Sequence, residues 1–494
     1  MKDLTPALPL ARASLGSLPS DVEVPNYTRA DLSPGIVHIG LGNFHRAHQA
    51  WYLHRLMQQG QALDWAIIGA GVRPYDAAMR ERLLGQDCLT TLIELSPTSS
   101  KAEVTGAMID YLPIEEGNGA LIAQMANPAI RIVSLTVTEG GYYLNPVTGG
   151  FDAAHPDMAH DAAVPQEPVT AFGAMVEALR LRRDEGHGPF TGQSCDNLQG
   201  NGAILRQTIV GLARLSDPDL ADWIDANVSF PNSMVDSIVP ATGPDELALA
   251  RRFGVDDAAP VTHENYRQWV IEDDFCAGRP RWEDVGATIT PDVHAYEAMK
   301  IRILNAGHQV LANAGELLGC DTIAECMNDA DIAPFWRKVE ADGIAPYVEP
   351  VPGMTPTAYV ALIERRFANP AIKDTTRRVA FDGSSRHTGF VLPILREAIG
   401  AGQSVEALAL VEALWARMCF GTRDDGSVIE ANDPAWDALN AAAVAAKDEP
   451  SAWLAQDHIY GELANNADFA KAFDGWLTMI WAKGTRQTLK SFAS

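Results

Sequence analysis

A chain of 494 residues is more than one hydrophobic core organises, so at least two domains are expected. Its 47% hydrophobic and 21% charged residues are those of an ordinary globular protein, and a net charge of −26 excludes the basic face that nucleic acid requires. Six scattered cysteines without a CxxC argue against a disulfide framework and a zinc knuckle; the absence of an apolar leader or a membrane-length run predicts a cytoplasmic protein with no membrane partner.

Residues 1–30 hold several prolines and no sustained period, which predicts a wrapping arm. Gly35-Ile36-Val37-His38-Ile39-Gly40 then reads as a short buried strand. It runs into Leu41-Gly42-Asn43-Phe44-His45-Arg46, which opens a helix expected to last to about Gln59. Strand, glycine turn and helix start are the parts of a dinucleotide-binding unit. Gly40 and Gly42 let backbone approach a pyrophosphate, and Asn43 and Phe44 begin the helix whose N–H groups face it. The third glycine of GxGxxG is replaced by His45. The next strand, 64–72, leads into Arg73-Pro74-Tyr75-Asp76. Asp76 is the candidate for an adenosine ribose, or a simple turn aspartate; Arg73 leaves NADP open beside NAD.

The β-rich run 129–138 ends in Glu139-Gly140-Gly141-Tyr142, polar residues just past a strand end. Two further segments repeat that pattern: Ser194-Cys195-Asp196-Asn197-Leu198, where Asp196 or Asn201 can also serve as helix caps, and Phe230-Pro231-Asn232-Ser233-Met234-Val235-Asp236. Strands alternating with helices predict an α/β domain over residues 1–288 with a largely parallel sheet. Beyond Pro291 the texture turns alanine-, leucine- and glutamate-rich. Helical periods cover 310–320, 357–367, 390–399, 404–417, 434–446 and 467–483, predicting a mostly α-helical domain over 289–494. The loop Phe381–His387 reads either as a surface turn or as a substrate contact.

The stretch Tyr296–His308 carries the most pointed signal. Wound at ~100° per residue, Glu297, Lys300, His308 and Asn305 fall at roughly 60°, 0°, 80° and 140°, one polar arc opposite Met299 and Ile303. A solvated helix face is the plain reading. A helix lining a cleft between the two domains is the functional one.

The motifs at 38–50, 136–142, 194–198, 230–236, Lys300 with Asn305 and His308, and Asp382-Gly383-Ser384-Ser385 occur in one order along nearly the whole chain. Together they resemble the mannitol dehydrogenase family of long-chain polyol dehydrogenases and their sugar-acid relatives. The resemblance implies a Rossmann-type N-terminal domain, a helical C-terminal domain and a metal-free, NAD(P)-dependent enzyme. Such an enzyme interconverts a secondary alcohol of an open-chain polyol with its ketose. It further implies Lys300 as general base, Asn197 and Asn305 as amide donors to the reacting oxygen, and His308 as a polar contact. Glu139 and Glu297 resemble a proton path, and Asp236, Arg378 and Arg386 resemble substrate-side groups. Many relatives have lysine where Arg386 stands, and an acidic residue where Tyr75 stands, so Asp76 carries the expectation of NAD over NADP.

Removing the hydroxyl proton while a hydride leaves requires alkoxide stabilisation without a metal. Lysine, with an ordinary pKa of ~10.4, serves as a base only where burial favours its neutral form. A hexuronate reductase of the same family is the alternative, because Arg378 or Arg386 suits a carboxylate. A nucleotide-responsive binding protein would have lost the Lys/Asn/Asn set, and a metal-dependent isomerase would cluster its histidines with carboxylates on strand ends. A monomer or small homo-oligomer acting on a small-molecule polyol or ketose is expected.

Overall fold

The apolar run after Pro34 forms the central strand β1 (Pro34–Ile39) of the computed structural model, which describes residues 6–145 and 149–494, the Glu139 side chain excepted. β1 lies in a five-stranded sheet with β2 (Ala66–Ala70), β3 (Met108–Tyr111), β4 (Ile132–Leu135) and β5 (Thr191–Ser194). The spatial order is β3-β2-β1-β4-β5 and every pairing is parallel. That is the strand order of a dinucleotide-binding half-sheet, with its switch point between β1 and β4.

Alternation along β1 sends its side chains to two cores. Val37 and Ile39 pack with Phe172, Met175, Leu205 and Ile209, from helices Ala171–Asp184 and Asn201–Ser216. Ile36 faces Tyr52, Leu53, Leu56 and Trp269 on the opposite side. Both faces are covered, which is why these strands read as continuous apolar runs.

The helix expected from 41 to about 59 is broken in two. α1 (Asn43–Ala47) ends at His48, whose φ of −120° and ψ of −96° are non-helical, and α2 (Gln49–Gln58) follows. The expected largely parallel sheet describes the main sheet alone. A three-stranded sheet joins β6 (Ser233–Asp236), β7 (Gln268–Glu272) and β8 (Thr288–Thr290), with β6 antiparallel to β7. A four-stranded sheet contains the antiparallel pair Thr90–Leu95 and Ser100–Thr105. The N-terminal arm adds short edge strands, Leu8–Pro9 beside Val255–Asp256 and Val22–Glu23 beside Ala102–Glu103.

The chain separates into two compact units, Met1–His294 and Ala295–Ser494. The second has no strand among its described residues, only isolated bridges such as Thr322 to Thr375. Its interior is filled by α3 (Ala306–Leu318) and α4 (Glu406–Cys419), nearly every residue of which is buried, Trp415 included, and Trp336 and Trp453 from other helices are buried as well. The stretch 381–387, expected as a turn or loop, is instead a short helix, Gly383–Arg386, running into a π-helical turn, His387–Val391.

The helix expected through 296–308 changes winding in the middle. It is α-helical over His294–Met299, π-helical over Lys300–Asn305, then α-helical as α3. Bonding from i to i+5 puts more residues into each turn, so Lys300 and Asn305 lie closer in azimuth than the ~140° of an ideal α-helical wheel.

Candidate active site

In the first unit the candidates gather at the carboxyl ends of the strands. Gly40 leaves β1 with φ +97°, and an added Cβ would overlap the Thr136 carbonyl just past β4, so only glycine fits. At Gly42 an added Cβ meets nothing within 4 Å, so this face of the turn opens away from the protein. The Asn43 side chain is engaged: Nδ2 donates to Pro240 O (2.8 Å) and Thr242 Oγ1 (2.9 Å), and Oδ1 accepts from Arg46. Its contribution to a phosphate would be its backbone N–H. Phe44 is half-buried and stacks on His48 at 4.7 Å between ring centroids.

His45, where a glycine would allow close helix–strand packing, stacks instead on His38 of β1 at 3.4 Å and 15°. Burial depresses both imidazoles, His38 to about 3. The neutral His38 bridges Ser134 Oγ (2.7 Å) and Thr136 Oγ1 (2.9 Å), and Ser134 in turn donates to Gln49.

Asp76 begins helix Asp76–Leu84, and its Oδ2 accepts the backbone N–H groups of Val72 (3.1 Å) and Arg73 (3.0 Å). That closes the turn after β2 through one carboxylate oxygen. Arg73 donates to Tyr143 Oη (2.6 Å) and lies 3.4 Å from Asp157. Tyr75 is 79% exposed.

Asn197 is exposed in the turn beyond β5, and the turn is held by its neighbours. Asp196 accepts the N–H groups of Val137 (3.0 Å) and Thr138 (2.9 Å) and the Tyr142 hydroxyl (2.7 Å). Asn201 donates to Asp196 O and Ser233 O and accepts from Ser233 N. Asp196 and Asn201 therefore join the ends of β4, β5 and β6 rather than cap a helix. Asp236 is buried at the end of β6, and the 139 side chain lies outside the described residues.

In the second unit Lys300 and Asn305 occupy the two ends of the π-turn, and they and Glu297 are buried. His308 follows on α3. Its ring stacks on Phe367 at 4.1 Å, and desolvation lowers its pKa to about 4 against the pull of Asp374, whose Oδ2 is 3.8 Å from Nε2. Asp374 holds Arg378 by two hydrogen bonds of 2.7 Å. Arg386 donates to Val379 O at 2.6 Å, and Arg378 and Arg386 line one cavity of about 450 Å³ with Thr375, Arg377, Phe381 and Asn432.

Sequence reasoning missed Asp374 and Glu340, and it read Asp196 only as part of a strand-end motif or as a helix cap. Asp374 and Asp196 look like ordinary loop aspartates until the fold aims their carboxylates. Glu340 is wholly buried, neither oxygen has a hydrogen-bond partner, and burial raises its pKa well above the usual carboxyl range. Among the described residues one trio could hold a metal ion, Glu272, Asp292 and His294, whose donor atoms lie within 4.8 Å of one another; two of the three are exposed. No helix among the described residues is long and apolar enough to cross a membrane.

Parallel strands in the order β3-β2-β1-β4-β5, with a glycine turn leaving the central one, define a Rossmann-type unit, here followed by a helical one. The chain belongs to the mannitol dehydrogenase family: the Mannitol dehydrogenase Rossmann domain matches residues 34–284 and the Mannitol dehydrogenase C-terminal domain residues 292–481. It is 54% identical to mannitol 2-dehydrogenase of Cereibacter sphaeroides over 95% of this chain and 98% of that one. The ternary complex of Pseudomonas fluorescens mannitol 2-dehydrogenase with NAD and D-mannitol is similar at TM-score 0.87 and 41% identity, covering 98% of this chain and 99% of that one. A substrate-free D-sorbitol dehydrogenase is similar at TM-score 0.90 and 35% identity, covering 97% and 100%.

Proposed function

We propose that this protein is an NAD-dependent, metal-free polyol dehydrogenase that oxidises a secondary alcohol of mannitol, arabinitol or sorbitol type to the ketose. The observation that carries the reading is near-full-length identity of 54% to a mannitol 2-dehydrogenase, with the Lys300, Asn305 and His308 set intact. NAD bound here would supply the hydride acceptor. Gly40, Gly42 and the N–H groups opening α1 with Asn43 and Phe44 suit its pyrophosphate, and Asp76 suits the ribose. The engagement of Arg73 with Tyr143 and Asp157 favours NAD over NADP, because that guanidinium is already neutralised.

Lys300 accepts the hydroxyl proton, and burial on the π-turn suits a neutral amine. Asn197 and Asn305 donate to the oxygen as charge develops, His308 orients it, and Glu297 and Glu139 pass the proton on. Asp236, Arg378 and Arg386 select the substrate. The bidentate Asp374 pair neutralises Arg378, which supports a hydroxyl-rich polyol over the carboxylate of a hexuronate. The test is a rate panel of mannitol, arabinitol, sorbitol and mannonate with NAD and NADP, before and after dialysis against a strong chelator. Polyol oxidation with NAD, unchanged by the chelator, is expected. Preference for mannonate, or activity lost to the chelator and restored by zinc, would overturn the reading.

A further inference from the structure

Two of the six cysteines are neighbours. α3 ends at Leu318, Gly319 turns the chain with φ +74°, and Thr322 caps the next helix, Ile323–Asn328, with a reciprocal Thr322–Glu325 capping box. This tight reversal brings Cys320 and Cys326 to the same side of Gly315. A Cβ added at Gly315 would overlap Cys326 Sγ and lie 3.7 Å from Cys320 Cβ. Cys326 Sγ donates to Leu311 O at 4.0 Å, and the nearness of the two thiols lowers the Cys320 pKa and raises that of Cys326. Cys320 is partly exposed and Cys326 is buried. An accessible thiol with thiolate character beside a buried second thiol is the arrangement of an attacking and a resolving cysteine. Cys88, Cys195 and Cys419 are buried, and desolvation raises each of them.

We propose that Cys320 and Cys326 are a redox modification site that closes to a reversible disulfide in exchange with a small-molecule disulfide such as glutathione disulfide. The Cys320 thiolate attacks one sulfur of the oxidant, breaking its S–S bond and releasing one glutathione. Cys326 then attacks the Cys320 sulfur and expels the second glutathione, which carries away the Cys326 proton. The dithiol loses two electrons and two protons, and one glutathione disulfide becomes two glutathiones.

The site touches the candidate substrate pocket through backbone. Thr376 Oγ1 donates to Cys320 O (2.7 Å), Thr376 N to Asp321 O (3.1 Å), and Ile323 N to Asp374 O (2.9 Å). Asp374 is the residue that holds Arg378. Drawing the sulfurs to about 2 Å moves the 320–323 turn, and with it the segment 374–378.

The test is titration of the reduced full-length protein with defined ratios of glutathione disulfide to glutathione, read by intact mass, thiol counting and peptide mapping. Expected are loss of two titratable thiols and two hydrogens of mass, a single 320–326 cross-link, and reversal by dithiothreitol. Cys320→Ser abolishes the cross-link, Cys276→Ser retains it, and Cys326→Ser leaves Cys320 carrying one glutathione. Polyol kcat/KM falls about tenfold on oxidation and recovers on reduction. Wild-type protein that only accumulates glutathione adducts, or stays reduced throughout, would overturn the site. A cross-linked protein with unchanged kinetics would overturn its link to the 374–378 segment.

Discussion

Gly307→Ala probes whether the lysine helix is held in register by what packs behind it. Gly307 stands in the first turn of α3, directly after the π-turn, and its carbonyl accepts from Trp336 Nε1 at 3.1 Å. A Cβ at this position would overlap Glu340 Oε1, with Trp336 Nε1 at 3.2 Å and Glu340 Cδ at 3.6 Å. Trp336 and Glu340 are wholly buried, so neither can swing into solvent to make room. Overpacking of this kind costs about 1–3 kcal/mol. In a unit of this size, at about 2–4 °C per kcal/mol, the melting temperature drops by roughly 2–12 °C. Asn305 and His308 flank the substituted residue, so kcat falls as well, by about tenfold or more. Differential scanning calorimetry and steady-state rates read both. Adding Glu340→Ala to Gly307→Ala removes the overlapping carboxylate, and the double variant recovers about 1 kcal/mol relative to additivity. Unchanged melting and turnover in Gly307→Ala, or strictly additive effects, would refute the overlap as the constraint.

Asn305→Ala removes one preorganised amide and lowers kcat by about 10²–10³-fold with little change in KM, measured by NADH formation; a pure KM effect would make Asn305 a binding residue. Glu340, raised by burial, favours folding in its protonated form, a contribution present below the ordinary carboxyl range and lost as pH rises toward its folded value. Glu340→Gln therefore gains stability over wild type progressively from pH 5 toward pH 9 in denaturant titrations, and a constant difference across that range would contradict a buried neutral acid.

The parallel sheet was legible because a two-sided core writes itself as uninterrupted apolar runs, 35–39, 66–70 and 132–135, separated at βαβ distances. The long helices were equally plain: Pro356–Phe367 and Ala467–Lys483 fall within a residue of the spans their periodicity predicts. The π-turn at 300–305 was not legible. An apolar stripe is tested against a fixed angle per residue, and six residues of wider winding barely disturb it. The antiparallel pair 90–95 and 100–105 also escaped, since its polar outer positions blur into loop composition. Of the candidate residues, those on motifs could be named in advance. What could not be read was the bridging role of Asp196, next to Asn197, and the pairing of Asp374 with Arg378, because the Asp196 partners are more than fifty residues away and the Asp374 pair is hidden in an ordinary i,i+4 spacing.

The proposed chemistry needs Lys300 as the base that takes the hydroxyl proton. Its most direct test is Lys300→Ala with mannitol and NAD, following NADH formation alongside calorimetric NAD binding. The proposed chemistry predicts that turnover falls by about 10²–10⁴-fold while NAD binds as to wild type. Near-normal turnover in that variant would contradict it.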